Sequence, residues 1–113
     1  MIILNREEFL DIESDIVFAK YNQRRMFGEL KIKTLEHDGD FLYQNILEVD
    51  AEGLDDLIEI LGEAIENKTS IKLDNNRTYR DGLFERDQLF AVYEKKDLKK
   101  LIKRLKEVLK DMG

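Results

Sequence analysis

LKIKTLEHDGDFLYQNILEV (residues 30–49) decides the fold. At its centre Asp38-Gly39 suits a two-residue type I′ turn, whose central positions both need positive φ; glycine adopts it freely and aspartate tolerates it. On the first arm Leu30 and Ile32 fall on one face, with Glu29, Lys31 and Lys33 on the other, the period-2 pattern of a half-buried strand. Residues 41–49 supply the second arm. An antiparallel hairpin is therefore expected, with His37 an exposed turn residue beside it.

Working outward, DIVFAKYN (15–22) and FGELKIKTL (27–35) read as strands joined through the basic loop Gln23-Arg24-Arg25. Ahead of them Asn5-Arg6-Glu7-Glu8-Phe9 reads as the start of a helix of two turns at most: Asn5 accepts from a free backbone N–H and Glu8 reaches back to it. After the hairpin, Asp50 is expected to cap a helix over residues 51–67. Its stripe of Leu54, Leu57, Ile58, Leu61 and Ile65 is surrounded by Glu52, Asp55, Asp56, Glu59, Glu63 and Glu66, and Gly62 is expected to let a strand approach. Residues 70–74 read as a short strand, 75–82 as a loop, and 88–94 as a central strand because Leu89, Ala91 and Tyr93 alternate with Phe90 and Val92, apolar on both faces. Asp97 is expected to cap a last helix with the stripe Leu98, Leu101, Ile102, Leu105, Val108, Leu109 and Met112. The order α-β-β-β-α-β-β-α predicts an α+β domain over residues 1–113. Its mostly antiparallel sheet has about five strands, with the two long helices on one face.

Composition narrows the function. With 42% hydrophobic and 39% charged residues, the chain can form a folded core under a charged surface, and no apolar run approaches the roughly 18 residues that span a bilayer. MIILNREEF lacks the basic leader and apolar region of a secretion signal, which points to the cytoplasm. The absence of cysteine and the single His37 remove thiolate chemistry and most zinc designs. Residues 1–66 hold 6 Lys+Arg against 17 Asp+Glu, whereas residues 67–113 hold 13 against 8, so an acidic first part is followed by a mildly basic second.

No phosphate-binding glycine loop or nucleophile motif occurs, and enzyme activity is not expected. The acidic pairs Glu7-Glu8, Asp55-Asp56 and Asp38 with Asp40 lack calcium-loop spacing, and neighbouring residues on a helix diverge by about 100°, so neither metal nor cofactor is expected. The candidate binding residues are Arg80, Arg86, Asp87 and Gln88, at the mouth of a buried strand, and Asp55, Glu59 and Glu63 on the acidic helix. An alternative, a nucleic-acid or nucleotide binder, uses Arg24, Arg25, Lys99, Lys103, Arg104 and Lys106, cations that can follow a phosphate backbone. A structural homo-oligomer paired through a strand edge is the third.

REEF (6–9), VFAKY (17–21), FGELKIK (27–33), DFLYQ (40–44) and RDGLFERDQLFAVYEKKD (80–97) occur in this order. On these blocks the chain resembles a group of short bacterial and phage proteins to which no activity is attached, departing from it at Glu13-Ser14-Asp15, where the group has a Gly-Thr or similar turn. The resemblance implies a setting of mobile elements and their hosts. The expectation is a cytoplasmic, non-enzymatic, protein-binding accessory or inhibitor, for example anti-defence or toxin-neutralising, that is a monomer or homodimer and does not bind membranes.

Overall fold

The structure, a computed structural model, describes residues 1–22, 24 and 26–113, and of His37 the backbone only. The expectations placed on Gln23, Arg25 and the His37 side chain lie outside the described residues.

The chain runs β1 (Ile2–Leu4), α1 (Arg6–Leu10), β2 (Ile16–Tyr21), β3 (Lys31–His37), β4 (Asp40–Asn45), β5 (Glu48–Val49), α2 (Leu54–Asn67), β6 (Leu73–Asp74), β7 (Thr78–Arg80), β8 (Leu89–Val92) and α3 (Lys95–Asp111). It is an α+β fold. Six strands form one antiparallel sheet in the order β1-β8-β2-β3-β4-β7, and β5 pairs with β6 in a separate two-stranded ribbon. The β3–β4 hairpin turns at Asp38 (φ 48°) and Gly39 (φ 75°), the conformation this pair of residues favours. β8 lies between β1 and β2, and its Phe90, Ala91 and Val92 are all buried.

The core is aromatic. Phe18, Phe41 and Phe90 project from β2, β4 and β8, and α1 sets Phe9 on top of them, stacked on Phe90 at 3.9 Å between ring centres and edge-on to Phe18 and Phe41. α1 holds its place through the expected capping box: the Asn5 side chain accepts from Glu8 N at 2.8 Å and Glu8 accepts from Asn5 N at 3.1 Å.

Several details differ from the sequence reading. Lys33 does not face solvent. It is 1% exposed, lies over the Phe9 ring and donates from Nζ to the Ile12 carbonyl, while a register shift between Lys33 and Leu35 leaves Leu35 exposed. Desolvation pulls the Lys33 ammonium below the ordinary lysine range, only partly offset by Glu36 and Asp15. The 75–82 stretch includes strand β7, and β1 precedes the first helix. The cap of α2 is Gly53, not Asp50; Asp50 accepts instead from Arg77 at 3.0 Å. α3 starts two residues before Asp97, which serves as its third residue and accepts from Glu94 N at 2.8 Å. Gly62 has no neighbour where a side chain would grow, so no strand approaches it.

The largest difference concerns packing. The sheet is covered by short α1, and neither long helix carries a buried residue. On α2, Leu54, Ile58 and Ile65 are 71%, 60% and 73% exposed, and the α3 stripe is open as well. The radius of gyration is 16.6 Å, against about 13 Å for a compact chain of this length. Amphipathic periodicity specifies which face of a helix is apolar; it does not specify what that face meets.

Candidate functional site

The candidate residues fall in three places: a buried ion cluster where β4 meets β7, a groove beside the start of β8 with Arg24 near it, and the surfaces of the long helices.

The cluster is built by the hairpin. Its turn places Asp40 at the first position of β4, and pairing of Leu42 with Arg80 brings β7 alongside. Arg80 Nε donates to Asp40 Oδ2 at 2.8 Å, and Gly82 N donates to the same oxygen at 2.9 Å. From α1, Arg6 donates to the Gly39 carbonyl at 2.9 Å and stands 3.5 Å from Asp40 Oδ1 and 3.8 Å from Asp81 Oδ2. Lys20 of β2 donates to Asp81 Oδ1 at 2.8 Å. Phe84, at φ 52°, sets its ring 5.7 Å from both the Arg6 and the Arg80 guanidinium.

Asp40 is fully buried, which by itself disfavours its charge. The hydrogen bonds from Arg80 and from the Phe41 and Gly82 N–H groups outweigh that penalty, and the carboxyl titrates below the usual aspartate range. Two carboxylates set among three cations tie α1, β2, β4 and β7 together. Arg80 is therefore occupied in holding the fold. Arg6, its counterpart across Asp40, carried no sequence signal, because it is one cation in a helix-start segment whose partners lie 33 or more residues away.

Arg86, Asp87 and Gln88 lie apart from Arg80. With Tyr21, Asn22 and Glu85 they line a groove of about 390 Å³. The Gln88 amide is engaged, donating to the Tyr21 carbonyl at 3.1 Å and the Leu89 carbonyl at 2.7 Å, whereas Arg86 and Asp87 are exposed.

On α2, Glu59 and Glu63 share a groove with Asp56, Ile60, Thr69 and Ser70, and Asp55 is exposed in the first turn. Asp56 points back to accept from Glu52 N at 2.8 Å, so Asp55 and Asp56 diverge. The helix itself carries five carboxylates and no cation. α3 carries eight cations against three carboxylates; Lys99, Lys103, Lys106 and Lys110 line a shallow groove along Ile102, and Arg104 pairs with Glu107 at 3.2 Å. Arg24 is exposed beside Asn22, whose side chain accepts from its N–H at 3.0 Å.

Among the described residues no group of three or more His, Asp or Glu side chains is placed to hold a metal ion, and no helix is long and apolar enough to cross a membrane. Comparisons with protein-family models, with curated proteins and with solved structures found no match.

Proposed function

We propose that the chain is a non-enzymatic protein-binding module whose contact surface is α2, an accessory or inhibitor in the phage and mobile-element setting that the sequence resemblance implies. One observation carries this reading: the apolar stripe of α2 stands open to solvent on a helix whose every charged residue is a carboxylate. Exposed contiguous apolar surface on a folded domain marks a docking site, and a rim of one charge selects a partner of the other. The matching ligand is an amphipathic helix with a basic polar face, laid along the exposed stripe of Leu54, Ile58, Leu61 and Ile65. Arg86 and Asp87, exposed on the loop before β8, offer a secondary polar contact.

A designed Leu/Lys amphipathic peptide of unrelated sequence tests the reading. Calorimetric titration should detect binding that weakens with salt. Ile58→Asp with Ile65→Asp should lower affinity by about tenfold or more, since each exposed isoleucine becomes a charge within an apolar contact. Equal binding by native and variant chains would remove α2 as the contact surface.

A further inference from the structure

Two unpartnered helix faces occur on one chain, and their properties match. In α2 the apolar stripe is Leu54, Leu57, Ile58, Leu61, Ala64 and Ile65, with Ile60 outside it; in α3 it is Leu98, Leu101, Ile102, Leu105, Val108 and Leu109, continued by the cap residue Met112. Both sets repeat with the same 3-1-3 spacing, a stripe wider than a two-stranded seam and suited to a helix bundle. The helices are about 21 Å and 25 Å long at 1.5 Å per residue, so each covers the other nearly end to end. Their charges are opposite and equal in surplus: five carboxylates without a cation on α2, and five more cations than carboxylates on α3.

Within one molecule both stripes stay open. The accessible surface of 8825 Å² exceeds the roughly 6,500 Å² expected for a monomer of this mass, whereas a standard interface removes about 800 Å² from each partner. A basic ligand would cover α2 alone. An anionic lipid surface would cover α3 alone and repel α2. A second copy of the chain supplies both missing faces together.

We propose that two copies associate reciprocally, α2 of each lying on α3 of the other, in a two-fold arrangement in which each contact joins apolar stripes between oppositely charged rims. The proposal rests on the reading of α2 as a docking face for a basic amphipathic helix and names α3 of a second copy as that helix. In the dimer α2 is occupied, so a Leu/Lys peptide and a second copy compete for it.

Sedimentation equilibrium of the full chain over a concentration series tests the pairing, using two charge-reversed variants at exposed positions flanking the stripes: Asp55→Lys with Glu66→Lys, and Lys99→Glu with Lys106→Glu. The native chain should dimerise. Each variant alone should dimerise about tenfold or more weakly, because the charge surplus on its altered helix falls from five to one at both contacts. Mixing the two should restore a 1:1 heterodimer, since one contact then pairs an unaltered α2 with an unaltered α3 at full opposite charge, which neither variant has alone. A native chain that stays monomeric, variants that dimerise unchanged, or a mixture that gains nothing would each overturn the pairing. A monomer that still binds the Leu/Lys peptide through α2 would overturn the self-association and leave the protein-binding reading standing. A monomer that sediments with phosphatidylserine vesicles would overturn it in favour of a lipid surface for α3.

Discussion

Asp40 has no exposure to solvent and sits between two guanidinium groups of unequal freedom, with the Arg80 side chain 55% exposed and that of Arg6 11%. In Asp40→Asn, Arg80 regains water and Arg6 does so only in part, so the loss should be about 2–3 kcal/mol, measured by urea unfolding at neutral pH. Acid should reveal the same group. Its folded pKa lies below the unfolded value of about 3.9, so its contribution is complete above that value and is lost as pH falls towards the lower folded one. The gap between native and Asn chains should narrow over that window; a constant gap would show that charge is not the source. The sequence revealed Asp38-Gly39 as a turn because turn chemistry is local. It did not reveal the role of Asp40, because that depends on cations supplied by α1 and β7.

Among the elements, α1 is five residues long, below the length at which a helix is stable by itself, and it persists through its capping box and the burial of Phe9. Phe9→Ala should cost about 3–5 kcal/mol in thermal or urea unfolding, removing the ring that contacts Phe18, Phe41 and Phe90. α2 offers the reverse case. Gly62 lies in its interior with open space around it, so Gly62→Ala should stabilise by about 0.5–1 kcal/mol and raise the melting temperature by a few degrees. A fall in melting temperature would mean that something covers that position. The long helices and the central hairpin were legible because their periodicity spans many residues. β1 and β7, at three residues each, are too short to display a period, and they are strands only because β8 and β4 present free edges to them. Lys33 defeated the alternation rule because its ammonium finds partners inside, the face of the Phe9 ring at 5.4 Å and the Ile12 carbonyl, so its long stem can be buried with it.

At the scale of the whole molecule, the sheet and α1 form a finished body, while α2 and α3 are appendages whose inner faces are as apolar as a core and as open as a surface. The sequence specified those faces fully and their contacts not at all, since a stripe reads the same whether it meets its own sheet or another chain. The route of the chain adds a consequence. β4 and β7 are adjacent strands, with Gln44 opposite Thr78, and everything in residues 46–77, α2 included, leaves and returns through that one pairing. The two ends of the excursion lie about 5 Å apart, the span of a hairpin turn. Such a segment is a cassette: its length and charge can change without breaking the pairing of β4 with β7 that holds its two ends together.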